Sequence, residues 1–200
     1  MDAKTQKSEL TRAAIVGAAL DLAGAEGLEA ITLQAVADRI GLSKSGVFSR
    51  VGSREALQKA VIEEFGRRFL ADVFVPAMQL PKGLPRLNDI VRRWIVRTRD
   101  VEGKTGCIFT AGAFELDDRE GELRDYLHNE VIRWRSALRR TVLQAVEAGH
   151  LKADTDADQL VAEVYSLSMG QLHDTRFLRD PRAAERAEAT WRRLLQTYLS

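Results

Sequence analysis

Residues 32–52, TLQAVADRIGLSKSGVFSRVG, carry residue types at a spacing suited to recognising a polyanion. Two short helical segments on either side of a tight glycine turn pack at about 90–120°, which requires a small residue on the first, glycine in the turn and apolar residues that lock the pair. Ala37 meets the first requirement and Gly41 the second, and Val36, Ile40, Leu42, Val47 and Val51 are expected to form the lock. On a helical wheel Val47 and Val51 share one face of the second segment, while Ser45 and Ser49 project nearly opposite, flanked by Gly46, Phe48 and Arg50. A small, polar outward face of this kind fits the major groove of a duplex. Between Arg39 and Lys59 the basic residues Arg39, Lys44, Arg50, Arg54 and Lys59 stand against Glu55 alone. Such charge supplies affinity for phosphates where the duplex lies, and helix starts expected after Thr32, Ser43 and Ser53 add backbone N–H donors for the same anions.

Elsewhere the chemistry-bearing residues lack the partners that catalysis or metal binding needs. Gly103 to Thr105 spells the GKT of a phosphate loop, but Thr98 stands where its first glycine belongs and no strand precedes it. Asp154, Asp156 and Asp158 have the opening spacing of a calcium loop, yet Gln159 and Tyr165 occupy its glycine and final glutamate positions, so they read as the charged start of a helix. The five carboxylates and one arginine from Glu115 to Glu122 read as a solvated helix junction. Cys107 is the sole cysteine, which rules out an intramolecular disulfide and suits a reducing compartment. His128, His150 and His173 leave little for a metal site. With no supported Ser/His/Asp or Cys/His set, neither an enzyme activity nor a metal or cofactor is expected.

The elements that must position residues 32–52 read as helices throughout. In 200 residues with 45% hydrophobic and 30% charged side chains, the chain has enough apolar content for a buried core and is neither disordered nor fibrous. Its formal net charge of +1 is silent about partners until resolved along the chain. Ile15, Ala18, Ala19 and Leu22 predict a first helix from Ser8 to Glu26, and Leu57, Val61, Phe65 and Phe69 a fourth from Ser53. Pro76 to Pro85 predicts a break, followed by a helix to about Asp100 that Gly103 and Gly106 end. A short apolar stretch runs from Gly106 to Leu116, and a long helix carries Leu123, Leu127, Val131, Trp134, Leu138, Val142 and Ala145. Two more are expected over about 156–178 and 181–199, the last opened by Asp180 as cap and Pro181 at its first position. The fold class is therefore all-α, with about nine helices. The polar start MDAKTQKSELTR and the lack of a long apolar run point to a cytoplasmic protein.

GLSKSGVFSRVGSREAL, preceded by TRAAIVGAALDLAGAEG, resembles the N-terminal domain of the TetR/AcrR family of transcriptional regulators over about residues 10–65. The later stretch GCIFTAGAFELDDREGELRD is similar to one in some regulators of this class. The resemblance implies a DNA-binding domain over residues 1–55, with its helix-turn-helix at about 32–51, and an effector-binding and dimerisation domain over 56–200. It implies a homodimer on a near-palindromic operator, more often as a repressor, released by a small molecule. By resemblance Thr32, Ser43, Lys44 and Arg54 face phosphates, and Ser45, Gly46, Ser49 and Arg50 face bases. Arg50 suits either a bidentate guanine contact or a phosphate. The family usually has Tyr at Phe48 and an aromatic residue at Val51; without a hydroxyl, Phe48 can pack only against sugar or a thymine methyl. Trp94, Cys107, Phe109, Phe114, Trp134, Tyr165, Met169 and His173 are expected to line an apolar effector pocket. Leu160, Val164, Leu167, Trp191, Leu194, Leu195 and Tyr198 are expected at the dimer interface. The competing readings are a small helical ligand-binding protein or enzyme without a DNA role, and a protein that associates with DNA without sequence preference.

Overall fold

Between residues 32 and 69 each helix starts at a short polar side chain that takes up an orphan amide of the first turn. The computed structural model describes residues 3–200, with side chains from Thr5 onward. Helix α1 is Ala3–Glu26, followed by a 3₁₀ turn at Leu28–Ala30; α2 is Leu33–Ile40, α3 is Lys44–Val51 and α4 begins as Arg54–Phe69. Thr32 Oγ1 accepts from the Ala35 amide, Ser43 Oγ from Gly46 and Ser53 Oγ from Ala56, each at 3.0 Å. Gly41 closes α2 at φ 68°, a left-handed conformation that glycine adopts without the Cβ penalty, and sends the chain into α3.

Helix α4 does not stop before Pro76. It widens into a π-helical turn at Leu70–Phe74 and ends in Val75–Ala77, where Pro76 sits in the first positions of the turn and needs no amide donor. Helix α5, Leu84–Arg97, likewise passes through a π turn at Thr98–Glu102 into Gly103–Thr105, beyond the end expected from its apolar stripe. The apolar stretch after Gly106 is helix α6, Ile108–Leu116; α7 is Glu122–Glu147, α8 Ala157–Arg176 and α9 Ala183–Tyr198. Pro181 lies in the turn before α9, not in its first helical position, and Asp180 Oδ1 accepts from the Arg182 amide at 2.9 Å. The described residues thus form nine helices and no strand. None of these helices is long and apolar enough to cross a membrane.

By packing, the chain forms two compact units. The first joins the residues up to Arg67 with Cys107–Asn129, and the second joins Arg68–Gly106 with Glu130–Ser200. A single cut at residue 55 follows chain order, whereas packing recruits α6 and the start of α7 to the N-terminal helices. In the first unit α1, α2 and α3 pack on one another around Ile15, Ala19, Leu28, Ile31, Val36, Ala37 and Val47. Ile40 and Val51 are half-buried at the edge of the expected lock, and Leu42 is not part of it: it is exposed at the turn.

In the second unit α8 packs on α9 and both pack on α5. Their buried side chains include Leu87, Ile90, Ile95, Leu160, Val164 and Trp191, and α7 adds Leu138 and Val142 to the buried side chains of this unit. Arg97 and Glu102 are both buried and bond Nε to Oε1 at 3.1 Å across the α5 π turn, with Asp72 also held by Arg97 and the Phe69 ring 5.6 Å from its guanidinium. A charge pair taken out of water persists only when each partner is met by the other and by further polar groups; Thr98 Oγ1, 3.3 Å from Glu102 Oε2, is one such group.

Candidate nucleic-acid interface

Helix α3 is held from beneath by Val47, fully buried, so its opposite side is free to face outward. Ser45 and Ser49 are exposed there, Lys44, Phe48 and Arg50 are exposed on its flanks, and Gly46 is half-exposed. The serines are short and partnered within the turn. Ser43 Oγ and Ser45 Oγ lie 3.1 Å apart, and Ser49 Oγ donates to the Gly46 carbonyl at 2.9 Å while accepting from Arg50 Nη1 at 3.2 Å. The hydroxyls of Thr32 and Ser43 serve as helix caps, with both residues exposed at the helix starts.

Arg54 is placed differently from the other basic residues. Its guanidinium turns inward, donating from Nε to the Ile31 carbonyl at 2.8 Å and from Nη2 to the Glu29 carbonyl at 2.7 Å, with the Glu29 carboxylate 3.4 Å away. The resemblance-based phosphate role for Arg54 therefore competes with a fastening role: it ties the start of α4 to the turn that precedes α2. Lys59 is also occupied, 2.7 Å from Glu122, and this ammonium holds the Glu122 carboxyl below the usual carboxylate range. Of the five basic residues read from the sequence, Arg39, Lys44 and Arg50 remain exposed.

The acidic stretch that begins at the end of α6 takes part in this fastening, which its composition alone does not reveal. Glu115 Oε2 accepts from the Leu28 amide at 2.7 Å, and Arg119 lies 3.1 Å from Glu29. Gln58 Nε2 donates to the Leu28 carbonyl at 2.9 Å. Glu115 reaches the turn because Gly27 stands there at φ 93°; a Cβ at Gly27 would lie 1.8 Å from Glu115 Oε1. A glycine ending α1 is readable from the sequence, but the carboxylate that covers it comes from α6, 87 positions beyond Leu28, so no local signal points to it.

The eight residues expected to line one effector pocket divide between the two units. Trp94, Trp134 and Tyr165 come together in the second unit, with ring centroids 5.5 Å apart for the tryptophans and 5.2 Å for Trp94 and Tyr165, both edge to face. Phe69, 4.9 Å from Trp134, and Phe74, 5.9 Å from it, complete the cluster, and sequence reasoning counted Phe69 only as a helix stripe. Trp134 Nε1 is buried without a hydrogen-bond partner among the described residues. The Arg135 guanidinium covers the Tyr165 ring at 4.5 Å. Cys107, Phe109 and Phe114 belong to the first unit instead, because α6 packs there. Cys107 is buried at the start of α6, Phe109 lies against Phe65 at 5.1 Å, and Phe114 is exposed. Met169 and His173 are exposed on α8, the latter beside Asp174 and the Phe177 ring.

The expected dimer residues divide by burial. Leu160, Val164 and Trp191 are enclosed by their own chain, Trp191 at 1% exposure with Nε1 donating to Asn88 Oδ1 at 2.8 Å, so these three are not available to a second copy. Leu167, Leu194, Leu195 and Tyr198 stay partly at the surface. The Tyr198 hydroxyl donates to Glu163 Oε2 at 2.7 Å, and partial burial beside that carboxylate pushes its pKa up to about 12.

Comparison with known proteins places these features in a group. Residues 15–61 match the family described as bacterial regulatory proteins, tetR family, and residues 83–191 match the tetracyclin repressor-like C-terminal domain. Among solved structures, a TetR transcriptional regulator from Chloroflexus aurantiacus is 20% identical over 98% of this chain and 100% of its own, with a TM-score of 0.84. A TetR-family regulator from Cytophaga hutchinsonii is 17% identical over 96% of both chains, with a TM-score of 0.81. AibR, solved in complex with isovaleryl coenzyme A and operator DNA, is 19% identical over 80% of this chain and 85% of its own, with a TM-score of 0.68. At these identities the structural likeness establishes the fold. No curated protein matches the sequence.

Proposed function

The chain belongs to the tetR family of bacterial regulatory proteins, and from that premise we propose that it is a cytoplasmic repressor, a homodimer that holds a near-palindromic operator until a small effector binds. The observation that carries this reading is the outward face of α3. Ser45, Gly46 and Ser49 keep that face low enough to approach base edges, while Lys44 and Arg50 extend from its flanks to phosphates and bases. Two such helices related by a two-fold axis enter successive major grooves about 34 Å apart. AibR is described with both operator DNA and a small ligand, the two partners this reading requires of the present chain.

For the effector, the cluster of Trp94, Trp134, Tyr165, Phe69 and Phe74 favours a flat apolar or aromatic molecule. One hydrogen-bond acceptor on it would satisfy Trp134 Nε1. Helices α4 and α7 each pass from one unit into the other, after Arg67 and after Asn129, and are the elements through which occupancy would be felt at α3. A coupling of about 1–3 kcal/mol weakens operator binding roughly 5- to 150-fold, provided the effector binds the two states unequally.

The testing experiment is selection of bound genomic fragments by the full chain, followed by titration of the selected duplex. Arg50→Ala should weaken specific binding about tenfold or more while leaving the circular dichroism spectrum unchanged. Lys44→Ala should weaken binding to all duplexes alike and reduce the slope of log K against log salt by about one for each phosphate it no longer neutralises. A full chain that enriches no fragment would overturn the regulator reading and favour a ligand-binding protein without a DNA role.

A further inference from the structure

The outward side of α3 offers a duplex more apolar surface than its serines suggest. Ser43, Ser45 and Ser49 already hold hydrogen bonds to one another, to the Gly46 backbone and to Arg50. A serine in that position gains little by exchanging one partner for another. Phe48, by contrast, is 57% exposed and has no polar atom to satisfy. Leu42, at the turn leading into the same helix, is 39% exposed. A single exposed apolar side chain is ordinary on a protein surface; what distinguishes Phe48 is its neighbours. At about 100° per residue it lies about 40° around α3 from Lys44 and about 60° from Ser45. Its ring thus stands between a side chain placed to hold a phosphate and one placed to face a base.

In the major groove, the apolar feature at that position is the methyl group on C5 of a pyrimidine, which projects from thymine and is absent from unmodified cytosine. We propose that Phe48 is a specificity-determining residue that reads a thymine in each half-site by packing its ring on the C5 methyl. The proposal rests on the regulator reading and adds to it the chemistry by which one base pair is chosen. A deoxyribose contact would bury the same ring without sequence preference, and the test separates the two. Burying one methyl group against an aromatic ring corresponds to about a fourfold change in affinity, and to about fifteenfold when both half-sites lose it.

The probe is the duplex recovered by fragment selection, synthesised with deoxyuridine replacing thymine at one position of each half-site in turn, and titrated by fluorescence anisotropy. Uracil pairs as thymine does and lacks only the methyl. The expected result is one position per half-site where uracil weakens wild-type binding about fifteenfold and leaves Phe48→Ala binding unchanged. Placing 5-methylcytosine instead of cytosine at that position should restore the same factor to the wild type, which identifies the methyl itself as the feature read. Phe48→Leu, which keeps an apolar side chain, should retain part of the discrimination. Because Phe48 is exposed, these variants keep the fold, and circular dichroism checks this. Uniform wild-type affinity across all uracil positions would overturn the proposal, as would a uracil penalty that persists in full in Phe48→Ala. Enrichment of no fragment by the wild type would overturn the regulator reading together with this one, a result distinct from tight binding that ignores the methyl.

Discussion

Trp191→Glu is expected to unfold the second unit, not to separate two intact protomers. The indole is enclosed by its own chain and its Nε1 is bonded to Asn88. Removing a buried tryptophan side chain costs about 3–5 kcal/mol on its own, and the variant also leaves Asn88 unpaired and seats a carboxylate in an apolar site. That loss is a large share of the roughly 5–15 kcal/mol that stabilises a typical domain. Thermal unfolding followed by circular dichroism should show a transition lowered by about ten degrees or more, or none at all. Leu195→Glu is the contrasting variant, because Leu195 remains partly at the surface of α9. If α8 and α9 form the dimer interface, Leu195→Glu should give folded monomers in sedimentation; a folded dimer would move the interface to another face. A Trp191→Glu protein that unfolds at the wild-type temperature would contradict the burial of this residue.

Arg54→Ala should damage the helix-turn-helix from behind. Removing the guanidinium leaves the Glu29 and Ile31 carbonyls without their donor and takes away one partner of the Glu29 carboxylate. Hydrogen bonds to a charged group are worth about 1.5–3 kcal/mol each, and partial exposure of this side chain argues for the lower end, giving a loss of about 2–3 kcal/mol in the first unit. Operator affinity should fall with it, since the turn before α2 is no longer tied to the start of α4. The distinguishing measurement is salt dependence. A residue that holds a phosphate changes the slope of log K against log salt when removed, whereas one that positions the helices lowers affinity with the slope nearly intact. An unchanged melting temperature together with a shallower slope would return Arg54 to the phosphate-facing set. Glu115→Ala probes the same fastening from α6 by removing the acceptor for the Leu28 amide, and its melting temperature should move in the same direction.

The two variants mark where reading the chain residue by residue runs out. Glycine at 41, the caps at Thr32, Ser43 and Ser53, and the buried face through Val36, Ala37 and Val47 obey rules that operate within one or two helical turns, so the sequence determines them and with them the recognition helix. Periodicity also marks Leu160 and Val164 on α8 and Trp191 on α9 as members of two apolar stripes, read from the sequence as a partner interface. It does not say what buries them, because an apolar face is satisfied equally by its own chain or by a second copy. The inward turn of Arg54, the packing of α6 with the N-terminal helices and the meeting of Trp94, Trp134 and Tyr165 in the second unit all depend on contacts between distant segments. Local residue types bias such contacts only weakly. They are decided when helices of fixed shape compete for the same buried surface and each buried polar group must find a partner.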